Sequence, residues 1–423
     1  MLSNKAHATG GQSPFWTNIE AILVVFAVSF NALLAIVNAN FLTMSPATVI
    51  ACEIVVVLIA HAIIIWRYND RVTAWYYLLG LLMAVAVARW MFIGRVDAKA
   101  LRDGMLISTF VALGIVSGRA AAGKCVFWLQ IIVTLVAIIE LFATDLFVTL
   151  FNVKQFYIST RGFSEANFWN TDSALFVSAT RPGERNLFPF LNIHRASSIF
   201  LEPVSLGNYC IILVAYVSTE ARSLSGRTLA FYILSTIFLL IACDGRLAVI
   251  VSIFIILLSF VKPIVRYSSL LYIPVLIVVS FVLLGFGAEP SRDDLAGRAA
   301  LAAKIFYRFD AAAFFGISNS TYVQSADSGI TYLIATQSIF GAMLILIFVT
   351  FNLAEGEPKQ ALFKRAALIF LTTTMLISNS YLSIKTAALL WFLLGAYQTR
   401  PILAKVSSYR DVRPVGTASS VQE

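Results

Sequence analysis

ATVIACEIVVVLIAHAIIIW, Ala47 to Trp66, is a run of twenty residues whose ionisable side chains are Glu53 and His61. About 20 apolar residues in a helix cross a bilayer core of about 30 Å. A lone strand could not do so, because lipid offers its backbone N–H and C=O groups no partner. Barrel strands alternate polar and apolar residues over about ten positions, and this run does not. The segment therefore predicts a transmembrane helix.

Comparable runs recur on both sides of it. Spans are expected at roughly 19–42, 47–66, 72–93, 103–117, 125–150, 203–219, 228–243, 247–261, 268–287, 329–351, 366–380 and 386–399. The chain of 423 residues is 59% hydrophobic and 13% charged, with a mean hydropathy of +0.85. Globular domains carry about twice that share of charge. The expected fold class is all-α: a polytopic integral membrane protein of about twelve helices, with 1–423 as a single membrane domain.

Basic residues set the expected orientation. With a cytoplasmic N-terminus, the inside segments hold sixteen Lys and Arg and the short outside loops hold five. That asymmetry follows the positive-inside rule and puts both termini in the cytoplasm. The exception is the loop 94–102, with Arg95, Lys99 and Arg102 on the outer side. The net charge of +9 is accounted for by topology and contact with anionic lipid, without nucleic acid.

Several chemistries are excluded. No Gly-rich phosphate loop or Walker-type lysine is present, so the chain does not hydrolyse ATP for itself. Cys52, Cys125, Cys210 and Cys243 lie in or beside apolar runs without metal-ligand spacing, which makes them packing residues.

Two outside segments, 151–202 and 288–328, are too long for plain connectors. Both are rich in aromatics and should be ordered, with Leu295 to Phe315 suiting a helix in the interface. Both also gather charges of each sign. Arg195-Ala-Ser-Ser-Ile-Phe-Leu-Glu202-Pro203 leads into the sixth span, with Pro203 at a position where its missing N–H costs nothing. Cys243-Asp244-Gly245-Arg246 joins two spans of about 15 apolar residues, which reach only about 23 Å and would leave the Asp-Gly-Arg tip below the headgroups. Asp327-Ser328-Gly329 opens the tenth span, and Asp327 also suits a helix cap. Inside the spans, Arg89 is expected to pair with Glu140 or Asp145, while Glu53 and His61 read as structural.

These stretches resemble the bacterial O-antigen polymerase (Wzy-like) and O-antigen ligase superfamily. The likeness rests on R-x-x-S-x-F-x-E-P at Arg195 to Pro203, on Gly245-Arg246, and on Asp327-Ser328 followed by Tyr332 and Gly341. It spans roughly Phe151 to Phe351. It implies a GT-C-like helical bundle in the bacterial inner membrane, with 151–202 and 288–328 as periplasmic loops. It also implies a glycosyltransferase that uses undecaprenyl-diphosphate-linked glycans without a metal or other cofactor. Its membrane partners would be a chain-length regulator and a flippase. Arg195 and Arg246 resemble the arginines that hold the lipid diphosphate. Ligases of this superfamily carry a histidine near the exit of the second loop. Asp327 stands there, which favours a polymerase, and Glu202 is the competing base or the group that orients Arg195. The alternatives are a ligase and a polysaccharide or lipid-linked sugar exporter without catalysis.

Overall fold

The computed structural model describes residues 14–168, 170, 172–180, 190, 193–261, 269–290, 295–318 and 328–398. Among them there is no strand. The helices are α1 (Pro14–Asn40), α2 (Pro46–Trp66), α3 (Thr73–Ile93), α4 (Ala98–Phe142), α5 (Thr144–Phe151), α6 (Val153–Arg161), α7 (Pro203–Glu220) and α8 (Gly226–Ala242). They continue with α9 (Arg246–Ser259), α10 (Ser269–Gly285), α11 (Leu295–Tyr307), α12 (Ala311–Phe314), α13 (Gly329–Phe351), α14 (Pro358–Ile377) and α15 (Ile384–Ala396).

Among the described residues, six segments are long and apolar enough to cross a membrane: Asn18–Asn40, Pro46–Trp66, Asp70–Ile93, Ala98–Phe142, Gly329–Phe351 and Pro358–Ile377. Four shorter apolar helices accompany them, within α8, α9, α10 and α15. The protein is thus an all-α membrane protein. Its surface agrees, since Ile54, Val55, Leu58 and Ile59 on α2 and Ile250, Ile253, Phe254 and Leu257 on α9 are exposed. A water-soluble protein rarely leaves apolar stripes of that size uncovered.

The core is built from other helices. Every residue of α15 is buried. A helix apolar all round belongs inside a bundle or a membrane, and α15 is inside the bundle. It meets the first half of α4 at backbone contact, where Gly114 faces the carbonyl of Phe392 and Gly395 faces that of Val111. Only glycine leaves room there. α7 is also buried along most of its length, although it carries Ser205, Asn208 and Thr219.

Two long helices are broken. Gly118 interrupts α4 with φ 74°, and Ser338 interrupts α13 with φ 60°. A break frees backbone carbonyls, which need partners inside a membrane. At Ser338 they find Arg89, which donates to the carbonyls of Gly316 (2.8 Å), Ala335 (3.0 Å) and Thr336. The expected pairing of Arg89 with Glu140 or Asp145 is therefore corrected: its guanidinium satisfies carbonyls, with Asp97 4.0 Å away.

Boundaries differ from the hydropathy reading where polar groups are satisfied. The span expected over 125–150 stops at Phe142, and α5 follows as a separate helix. The span expected from 366 begins at Pro358, because Lys364 is buried and donates to the carbonyls of Thr350 (2.8 Å) and Leu353 (3.0 Å). The exceptional basic residues of 94–102 have a physical account. Arg102 lies on α4, buried between Glu53 and Asp103, and the Tyr332 hydroxyl donates to Asp103 at 2.8 Å. Lys99 stands 5.2 Å over the Tyr332 ring. His61 sits between the hydroxyls of Tyr76 (3.2 Å) and Thr109 (3.1 Å), a satisfied buried histidine.

The described parts of both long segments are ordered by their aromatics. Tyr157, Phe163, Phe168 and Phe176 pack with ring centroids 4.6 to 6.3 Å apart. Phe306, Phe309 and Phe314 form a second cluster beside α11 and α12.

Candidate functional site

The turn between α8 and α9 decides the site. Asp244 has φ 46°, a left-handed conformation that an L-residue adopts at some cost, and it is buried. The turn places Arg246 as the first residue of α9. A cation there opposes the helix dipole, which favours anions at that end. Arg246 is therefore poorly placed to stabilise its own helix.

Arg195 arrives from the other motif. Its Nε donates to the carbonyl oxygen of Cys243 at 2.9 Å, and its Nη1 to that of Ser178 at 3.3 Å. The backbone follows the same path, with Ala196 N–H bonded to the carbonyl of Ala242 at 2.8 Å. Arg195 is therefore fixed against the turn that carries Arg246.

Both arginines line one cavity of about 350 Å³. Arg298, Asn208 and Asp244 line it too, together with Val204, Leu247, Ile250, Leu295 and Ile377. The lining comes from the N-terminal parts of α7 and α9, the Asp244–Gly245 turn, Arg195, Leu295 and Arg298 on α11, and Ile377 at the end of α14. The cavity is amphiphilic, with guanidinium groups beside aliphatic side chains. Val204, Ile250 and Leu295 are each more than a third exposed, so its apolar wall continues onto the outer surface of the bundle. An amphiphile with an anionic head fits such a wall.

Glu202 stands elsewhere. Its carboxylate pairs with Lys385 at 2.5 Å and accepts from the Ser205 hydroxyl at 2.8 Å, and it does not line the cavity. Burial alone would raise its pKa; Lys385, Ser205 and Arg161 outweigh that and hold the carboxyl below the ordinary glutamate value. Glu202, expected from the sequence as a base or as the group that orients Arg195, has Lys385 as its charge partner. Asp327 lies outside the described residues. Its neighbour Ser328 is buried, and Gly329 packs against the carbonyl of Ser378. His194, next to Arg195, has its imidazolium disfavoured by burial, which lowers its pKa.

Sequence reading missed Arg298 as a site residue, since its helix looked like a surface anchor. It also missed Asn208, which donates to the Ser380 hydroxyl at 2.6 Å behind the cavity wall. A polar residue one turn into an apolar span was the available signal. Among the described residues no cluster of His, Cys, Asp and Glu could hold a metal ion. Compared with known proteins, the chain matches no family model, no curated protein and no solved structure.

Proposed function

We propose that this protein is a polysaccharide polymerase, joining oligosaccharide repeat units carried on undecaprenyl diphosphate at the periplasmic face of the bacterial inner membrane. The observation that carries the proposal is the convergence of Arg195, Arg246 and Arg298 on one amphiphilic cavity. Planar guanidinium groups suit phosphate oxygens and stabilise charge growing on a departing diphosphate. The aliphatic wall suits the first isoprene units.

In this reading a hydroxyl oxygen of the acceptor bonds to the anomeric carbon of the donor. The bond from that carbon to the diphosphate oxygen breaks, and the electron pair leaves on the diphosphate. The acceptor proton passes to a carboxylate. Asp327 holds that role from the sequence motif, and Asp244 is the carboxylate in the cavity wall. Glu202, held below its ordinary pKa, is the weaker base. The bilayer arrangement is twelve spans with both termini cytoplasmic. The break at Gly118 divides α4 into two of them, and α7 to α10 and α15 complete the number.

A second reading has its own support. Exporters use interrupted helices and buried charges, and this chain has breaks at Gly118 and Ser338 beside the buried Glu53–Arg102–Asp103 group. Purified protein incubated with lipid-linked repeat units separates the two. A ladder of longer lipid-linked glycans is expected, with free undecaprenyl diphosphate released. Intact protein that leaves the single units unchanged would leave the exporter standing.

A further inference from the structure

The Arg195–Glu202 segment contains a single 3-10 turn, Ser198–Phe200, whose first residue Ser198 (φ 50°) and following residue Leu201 (φ 58°) are both in the left-handed region. That turn is gripped at both ends by buried side chains from two other helices. At its start the Glu140 carboxylate accepts the Ser197 N–H (2.8 Å), the Ser198 N–H (2.6 Å) and the Ser197 hydroxyl (2.8 Å). At its end the Lys385 ammonium donates to the Phe200 carbonyl (3.3 Å) and pairs with Glu202. Glu140 is fully buried on α4, and Lys385 is 5% exposed on α15. The Glu140 side chain accepts the N–H groups at one end and the Lys385 ammonium donates to a carbonyl at the other, bonding groups that the short turn leaves unpaired.

We propose that Glu140 and Lys385 are positioning residues: together they preset the turn that carries Arg195 into the arginine cavity. The proposal rests on the diphosphate reading of that cavity. Neither residue touches the ligand. Glu140 acts on it through Ser197 and Ser198, next to Ala196 and Arg195. Lys385 acts through Phe200 and Glu202. A buried carboxylate in a membrane bundle is costly unless it is fully bonded, and here the backbone of this turn supplies the bonds.

The test uses the full chain in detergent, with farnesyl diphosphate as the binding probe and amide hydrogen exchange as the local readout. Both Glu140 oxygens accept from the backbone, so in Glu140→Gln the amide nitrogen meets an N–H in either orientation. Glu140→Gln and Lys385→Met are expected to weaken binding at least about tenfold, the scale of a lost hydrogen bond to a charged group. Exchange at 196–200 should rise while that of Ile384–Ala396 stays slow. Lys385→Arg should restore most of the affinity. Ser197→Ala, which removes one hydroxyl bond and leaves the charges in place, should weaken binding about threefold and stands in if Glu140→Gln does not fold. Unchanged affinity in these variants overturns the proposal, and so does faster exchange throughout the bundle. Wild-type protein that binds farnesyl phosphate as tightly as the diphosphate, or neither, instead overturns the diphosphate reading and removes the basis for a positioning role.

Discussion

The Nε of Arg195 donates to the carbonyl oxygen of Cys243 at 2.9 Å, which joins two motifs 48 residues apart into one unit. The loop before α7 and the turn before α9 therefore move together. Substitutions in either should affect the same ligand.

Arg246 is the sharpest test of the chemistry. Arg246→Lys keeps the charge but loses the planar fork. Polymer formed per unit of membrane-inserted protein should fall by about 10²-fold or more, and Arg246→Ala should fall at least as far. Arg298→Ala should reduce polymer less than Arg246→Ala. Full activity in all three variants would sink the glycosyltransferase reading.

The base is tested by shape-preserving amides. The N-cap of α13 is Ser328, and Asp327→Asn keeps the shape of the side chain but accepts no proton. It should insert normally and lose about 10² to 10⁴ of the rate. Full activity in Asp327→Asn with almost none in Asp244→Asn would assign the base to Asp244.

Glu202 predicts a pH dependence of stability. Its folded carboxyl titrates below the 4.5 of an ordinary glutamate. The stabilisation is therefore present above that value and is lost as pH falls through the lower folded value. With 30% of the side chain exposed, solvent screens part of the effect. Wild-type melting temperature should fall below about pH 4.5, and Glu202→Gln should start lower at pH 7 and change less across that window. Equal acid sensitivity of the two would remove the Lys385 pair as its cause.

The helix crossing at Gly114 and Gly395 predicts a severe packing defect. A Cβ at either glycine would overlap a backbone carbonyl of the other helix. Gly114→Ala and Gly395→Ala should each cost about 3 kcal/mol, the upper end of ordinary overpacking. Thermal melts of purified protein check this. Gly226→Ala, where nothing lies within 4 Å, is the control.

Topology is tested by single cysteines in a background lacking the native four. Cysteines at Asp172, which is exposed, and at Ser320 should label with an impermeant reagent from the periplasm, and one at Ser225 only after the membrane is opened. The opposite pattern would overturn the orientation and the enzyme reading with it.

Much of this was legible in the chain. The all-α membrane class followed from runs such as Ala47–Trp66, and the short spans flanking Asp244-Gly245-Arg246 singled out a polar tip that lines a cavity. The motif spacing singled out Arg195 and Arg246 before either could be placed in a cavity. Glu202 was legible as unusual, but its partner was not, because Lys385 lies 183 residues away on another helix.

Hydropathy by itself determined that this protein is a membrane helical bundle, because the cost of burying backbone and charge in lipid is local to each segment and can be read in a window of about 20 residues. It could not distinguish α2, with one face exposed, from α15, buried on all sides, since lipid and protein interior favour the same side chains. Only the tertiary structure decided that Arg298 joins Arg195 and Arg246, that Lys385 takes Glu202, and that Glu140 holds Ser197 and Ser198. Those pairings depend on which helix faces which. Close packing at Gly114 and Gly395 and the breaks at Gly118 and Ser338 set that arrangement, and no single segment encodes it.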